Sequence, residues 1–519
     1  MKISNLPCSN TKDMSRILTL TVLFFSFMTL TAQPDPNKID QLIAEAQQAY
    51  GVPGMAVGIT YQGKTFLAKG YGVKEVGKPG PVDENTLFAI ASNTKAFIGT
   101  MIGMLVEEGK LNWNDPVHRY LPYFELKDPA ANELLTIRDL LCHRAGLGTF
   151  SGDVLWYKSE RSAEEVLKQV KALEPAYPFR DGYGYSNLMF IAAGEVIKAV
   201  TGKTWHELAQ EKIWTPIGMD RTIWSVDMLT DNFAMPHKPQ PDGPDQSIPW
   251  VNWDNMGAAG GIISSAKDMI RWMQLHLQGG KWEDQPVYPV SIQAQTMQPN
   301  NSFRLSANAL KAMPERTYSG YGLGWGLMDY AGHWVVSHGG GYDGMYSKVM
   351  MVPDMQLGIV ILTNTMKGIS NPLSYELLDL FRGSTGRDWI QEGLEGETAN
   401  RKRLADRLAE RTEHRVLGTK PDFNPEDAAG HYEDELYGSL EVTWDGKTME
   451  LHFGQAPHLD ATLTHWHFNT YQITWHEPQA WFSFGTVQFT LDNQGKVHGM
   501  EFDIPNDDIF FEEIHAEKE

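Results

Sequence analysis

Ser92-Asn93-Thr94-Lys95 opens a stretch that reads as one strong helix, running from Ser92 to Glu108 and stopped by Gly109. Positions i and i+3 share a helix face, which sets the Lys95 amine beside the Ser92 hydroxyl. A serine at a helix N-terminus also lies near free backbone N–H groups and the positive dipole end, which favour a developing oxyanion. The four-residue pattern is weak alone: ordinary frequencies produce it about twice in a chain this long, and Ser9 to Lys12 and Ser264 to Lys267 match it too. Partners and their order separate the three. Tyr185-Ser186-Asn187 follows Ser92 and precedes a helix, His338-Gly339-Gly340-Gly341 ends a strand, and no Tyr-x-Asn follows Ser264.

Outward from Ser92, the periodicity sketches a fold. Ile39, Leu42, Ile43 and Ala46 mark one face of a helix over 39–50, and two strand-like runs, Met55 to Gln62 and Thr65 to Val73, meet at Gly63-Lys64. A helix-rich middle follows: Thr136 to Cys142, Ala163 to Leu173 behind a Ser162/Glu165 capping box, Leu188 to Thr201 before Gly202, and Ala266 to Leu277. Strands return at Gly322 to Met328, His333 to His338, Tyr346 to Val352 and Leu357 to Asn364. This order predicts an α/β (α+β) domain: an antiparallel sheet built from both chain ends, flanked by helices, with a helical insertion between. A charged stretch from Gln391 to Arg411, with Leu404 and Leu408 as its apolar seam, reads as an exposed linking helix, and Lys420 to Pro425 as a hinge. Beyond it the period becomes two, with Leu440, Val442 and Trp444 answered by Met449, Leu451 and Phe453 across Asp445-Gly446. That tail is expected to be a separate, smaller all-β antiparallel domain. The expected boundaries are 1–32 leader, 33–385 catalytic domain, 386–424 charged helical linker and 425–519 β domain.

The three motifs and their order resemble the serine β-lactamase and penicillin-binding-protein superfamily, in particular its class C-like branch with Ser-x-x-Lys, Tyr-x-Asn and Lys-x-Gly or His-x-Gly boxes. The resemblance covers roughly residues 38 to 385, and Thr136 to Leu141 with His143, Gly260 to Ser265, and Tyr321 to Trp325 look like family scaffold. It implies that Ser92 attacks a carbonyl and becomes acylated, that Lys95 and Tyr185 move the proton, and that Asn187 holds the substrate amide or Lys95. It implies further that His338, Gly340 and Gly341 serve the substrate and oxyanion, with the Ser92 and Gly341 amides as donors. Ser264 falls to a capping role with Asp268. The tail resembles the lipocalin-like domain appended to some members. Where dedicated β-lactamases usually carry lysine, this chain has His338, only partly charged near neutral pH. The replacement favours esterases, amidases and D-amino-acid peptidases of the branch over an efficient β-lactamase.

The rest of the chain narrows the setting. Lys12 and Arg16, an apolar run from Ile17 to Leu30 and Ala32 describe a cleaved signal peptide, hence a periplasmic or secreted protein. No later segment is apolar enough to span a bilayer. The net charge of -21 excludes a nucleic-acid partner. With Cys8 in the leader, Cys142 stands alone as a small buried hydrophobe, so no disulfide and no thiolate metal site is expected. His452, His458, His465, His467 and His476 read as solvated strand residues rather than a metal site, and no cofactor is implied. Trp250 and Trp253 are candidates for the cleft wall. The expectation is an exported hydrolase of an acyl ester, a D-amino-acid amide or peptide, or a β-lactam. Its partner would be a small-molecule or peptide substrate, with homo-oligomerisation open. The alternative is a penicillin-binding sensor that acylates without turnover.

Overall fold

The computed structural model describes residues 34–240, 243–384 and 386–519; the expected leader lies outside the described residues. Helix α1 (Pro36–Tyr50) starts where Asp35 accepts a hydrogen bond from the Asn37 amide, and it buries Ile39, Ile43 and Ala46. Gly51 ends it at a left-handed φ of 60°, which glycine adopts without strain. Strands β1 (Gly54–Tyr61) and β2 (Lys64–Gly72) then join six later ones: β3 (Asn301–Ser302), β4 (Ser319–Tyr321), β5 (Gly326–Tyr330), β6 (His333–Tyr342), β7 (Met345–Val352) and β8 (Leu357–Thr363). The resulting sheet has the order β2-β1-β8-β7-β6-β5-β4-β3. Antiparallel pairing from Met55↔Thr363 to Tyr61↔Leu357 joins the two chain ends, as the element order predicts. The strand expected over 322–328 begins only at Gly326, because the chain leaves β4 at Tyr321 and reverses over Gly322–Trp325, where the Gly322 amide bonds the Trp325 carbonyl at 2.8 Å.

Each face of the sheet carries its own core. One face packs α2 (Thr94–Glu107), α3 (Asn187–Thr201) and α4 (Ala266–Leu277); the other packs α1, α5 (Ser370–Arg382) and the start of α6 (Trp389–Glu413). Every residue of α2 from Thr94 to Leu105 is buried, so the helix behind Ser92 is a central strut and not an amphipathic surface element. Helix α4 is capped by Ser265, which accepts from the Asp268 amide. Ser264 is no cap: it lies in a short strand with its hydroxyl on Thr222, and Asp268 turns to Thr222 and the Arg221 amide. Cys142 is buried and its thiol is pushed up to about 12 by burial, so it is unreactive.

Helix α6 is tied down at its first turn, where Trp389 stacks on Tyr375 at 4.8 Å. Its apolar seam stays partly in solvent, with Leu404 and Leu408 46% and 43% exposed. Beyond it, β9 (Gly430–Asp434), β10 (Gly438–Trp444), β11 (Met449–Phe453), β12 (Ala461–His467), β13 (Thr470–Trp475), β14 (Thr486–Leu491), β15 (Val497–Asp503) and β16 (His515–Lys518) close into a barrel. Its interior holds Phe453 and Phe502 from the alternating strands together with Phe482 and Phe511 from the connections between strands, with ring centroids 5.2–6.4 Å apart among them. Three tail histidines do not stand free in solvent, because His452, His458 and His476 pair with Asp460, Glu477 and Glu450 at 2.7–2.9 Å. No helix among the described residues is long and apolar enough to cross a membrane.

Candidate active site

Ser92 sits in a single helical turn, Ala91–Asn93, that leads straight into α2. The turn is pinned to the sheet: Asn93 Nδ2 donates to Ser347 Oγ at 2.8 Å, and that hydroxyl donates to the Ile90 carbonyl at 2.7 Å. Ala91 has a φ of 46°, a left-handed conformation that costs a non-glycine residue about 1–2 kcal/mol. The strained turn lifts Ser92 to partial exposure while Lys95, one helical turn further, is fully buried.

Lys95 Nζ has three hydrogen-bond partners: Ser92 Oγ at 3.1 Å, Asn187 Oδ1 at 2.7 Å and the Ala259 carbonyl at 2.8 Å. Asn187 is fixed at the first residue of α3, and its Nδ2 donates to Asp153 Oδ2 at 2.7 Å, which orients its oxygen toward the amine. Two of the three partners can only accept, so when the ammonium loses a proton the free lone pair faces the serine hydroxyl. Burial draws Lys95 down to about 7, against an upward pull from Asp153. Asp153 is itself buried and pushed up to about 8 by desolvation.

The Tyr185 ring centroid lies 4.8 Å from Lys95 Nζ, and the ring packs on His143 at 4.2 Å. Burial holds the phenol well above its ordinary range, with the Ser92 hydroxyl pulling it the other way, so it remains protonated through neutral pH. His143 is anchored by the Ser186 amide, which donates to its Nδ1 at 3.1 Å.

His338 is neutral, not partly charged. Its Nδ1 is 2.6 Å from the Gly339 carbonyl, which only accepts, so Nδ1 carries the proton and Nε2 accepts from the Tyr321 hydroxyl at 2.7 Å. Burial and the Lys95 charge take it down to about 3. Strand β5 pairs with β6 only from His333 to Ser337, whereas β7 pairs with it from Val336 to Tyr342. Among the described residues, then, positions 338–342 have strand pairing on the β7 side alone, and His338, Gly339 and Gly341 line the cleft. Gly340, expected to serve the substrate, instead allows the strand to approach the Ser92 turn, since a Cβ there would meet the Ile90 carbonyl at 2.2 Å.

The cleft measures about 510 Å³ and brings together Ser92, Tyr185, Asn187, His338 and Gly341. Trp253 walls it, whereas Trp250 lines a different cavity and donates to the Ala234 carbonyl. Sequence reading missed Asp153, Lys348 and the part played by the barrel. Trp481, Asp508 and Ile509 of the barrel line the same cleft. Glu513 fastens that wall by accepting from Ser151 Oγ at 2.6 Å and from the Gly152 amide at 2.7 Å, next to Asp153. Asp508, pushed up to about 6 by burial and by neighbouring Asp507, adds a carboxylate to the cleft. No motif marks the barrel residues, because they lie hundreds of positions from Ser92 and sit between barrel strands.

The chain is similar to known proteins. The Beta-lactamase family model matches residues 39–381, and a domain of unknown function (DUF3471) matches 414–518. The unguisins hydrolase ungD of Aspergillus violaceofuscus is 27% identical over 69% of this chain and 67% of its own length, so the chain spans about two thirds of that relative. The octameric penicillin-binding protein homologue of Pyrococcus abyssi superposes with a TM-score of 0.61 at 19% identity, covering 93% of this chain and 100% of the other. A D-stereospecific amidohydrolase from Streptomyces superposes with a TM-score of 0.55 at 23% identity, over 68% and 100% of the two chains. The chain belongs to the β-lactamase family, as a serine hydrolase of that mixed α/β fold with a closed eight-stranded barrel after it.

Proposed function

We propose that this protein is an exported hydrolase that cleaves an ester or amide through an acyl-enzyme on Ser92, without a cofactor. The observation that carries this reading is the placement of Lys95 Nζ, 3.1 Å from Ser92 Oγ, fully buried, with its other two partners restricted to accepting hydrogen bonds. The neutral amine takes the Ser92 proton as the oxygen attacks the carbonyl. Lys95 therefore serves as the acylation base. Tyr185, protonated and beside both groups, donates to the departing oxygen or nitrogen and is re-protonated from Lys95; the reverse transfers activate water for deacylation. The cleft-facing edge of β6 at Gly341, together with the Ser92 amide, receives the oxyanion.

A neutral His338 supports esters and amides over β-lactams, because the cation expected to greet a carboxylate beside the reacting bond is missing there. The names of the unguisins hydrolase and of the D-stereospecific amidohydrolase agree with acyl cleavage. Export is inferred from the leader-like sequence before Gln33. The test is a panel of p-nitrophenyl esters, D-amino-acid amides and a chromogenic cephalosporin, assayed with the wild type and Ser92→Ala. Ester or D-amide turnover is expected to exceed cephalosporin turnover and to vanish in the variant. A fully active Ser92→Ala protein refutes the reading.

A further inference from the structure

The cleft holds a cation that acyl transfer does not use. Lys348 lies on β7 opposite Gly339 of β6, and successive strand residues point to opposite faces, so Lys348 lies on the other face of the sheet from His338. The cleft wraps round the cleft-facing edge of β6 and reaches it, with Lys348, Ser337, Met328 and Tyr375 lining that end. Gly339 keeps the passage clear: a Cβ there would find only the Ser347 carbonyl, 3.8 Å away. The half-buried amine of Lys348 donates to Ser337 Oγ at 3.3 Å, and no carboxylate pairs with it among the described residues. Burial alone draws it down to about 8, which leaves it largely charged at neutral pH. A desolvated ammonium with one weak neutral partner is short of the anion that would stabilise it.

We propose that Lys348 binds a carboxylate carried by the substrate away from the scissile bond, so that the preferred substrates are acidic esters or amides. Asp508, in the cleft wall supplied by the barrel, repels the same group and so orients the substrate with its acid toward Lys348. The position explains why a neutral His338 is compatible with an acidic substrate: the anion is read on the far face of β6, not beside the reacting carbonyl. This inference rests on the acyl-hydrolase reading and names the substrate class for it.

The experiment compares ester pairs in which a carboxylate is replaced by a neutral group at the same position. On the acyl side, the mono-p-nitrophenyl esters of succinic and glutaric acid are set against p-nitrophenyl butyrate and valerate. On the leaving side, 4-acetoxybenzoate is set against 4-acetoxybenzamide. In at least one pair the wild type is expected to favour the acid at least tenfold in kcat/KM. The ratio should fall to about one in Lys348→Met and persist in Lys348→Arg. A wild-type ratio of one in all three pairs overturns the proposal. So does an unchanged ratio in Lys348→Met, including the case in which both members of a pair slow equally. Failure of the underlying reading looks different: the neutral esters are then not hydrolysed at all, or Ser92→Ala hydrolyses them normally.

Discussion

If Lys95 is the base, the acid limb of acylation is carried by one buried amine, whose titration is coupled to that of Asp153 across Asn187. The perturbation is pH itself, with a neutral p-nitrophenyl ester as substrate so that Lys348 and Asp508 have nothing to bind. Burial sets Lys95 at about 7. Two pH units lower, about one enzyme in a hundred holds the neutral amine, so kcat/KM at pH 5 is expected at roughly 1% of its plateau, and at pH 6 at roughly 10%. His338, taken down to about 3, adds no limb in this range, and Tyr185, held well above its ordinary value, adds no alkaline fall below about pH 10. Stability supplies a second readout. An unfolded lysine keeps its proton to about pH 10.4, whereas the folded Lys95 keeps it only to about 7. Between those values the unfolded state binds more protons, so this residue's contribution to stability rises with pH by about 1.4 kcal/mol per unit and is lost as pH falls. The wild type minus Lys95→Met difference in unfolding free energy should show that slope. A flat kcat/KM from pH 5 to 8, or a limb near the ordinary lysine value, refutes the assignment.

Two further outcomes follow from neighbouring groups. Tyr185→Phe should lower kcat by about 10²–10⁴ for alkyl esters and amides, whose leaving groups need a proton, and much less for p-nitrophenyl esters; equal losses across both classes would contradict a proton-donating role. Glu513→Ala leaves the Ser151 hydroxyl and the Gly152 amide without their acceptor, which costs about 1–3 kcal/mol and loosens the barrel wall next to Asp153. A lower melting temperature together with reduced kcat/KM is expected, and a variant unchanged in both would show that the contact does not support the cleft.

The parts of the site legible in the sequence are those with a local grammar. Ser92 and Lys95 share a helix face by spacing alone, and Tyr185 and Asn187 flank a helix start, so their proximity follows once the helices pack. The sheet was legible for a related reason: β1 and β8 are continuous apolar runs of the kind buried on both faces. Local patterns failed where tertiary contacts decide. The reversal at Gly322–Trp325 hides inside a run of strand-like residues. Gly340 looked like substrate-facing backbone, yet the carbonyl it makes room for belongs to Ile90. The charge state of His338 is set by its burial and by the Lys95 charge, and no composition argument contains either.

That charge state also decides what tunes the catalytic amine. A lysine at position 338 would stand near Lys95 and depress its proton affinity by like-charge repulsion. A neutral histidine exerts no such push, and Asp153 pulls Lys95 upward. Burial must therefore supply the whole downward shift, which ties the chemistry to the apolar surroundings of α2 and the closed packing around Ala259. The consequence runs from fold to function: loosening the core around α2 and admitting water should move the acid limb upward, toward the ordinary lysine value, before the nucleophile itself is displaced.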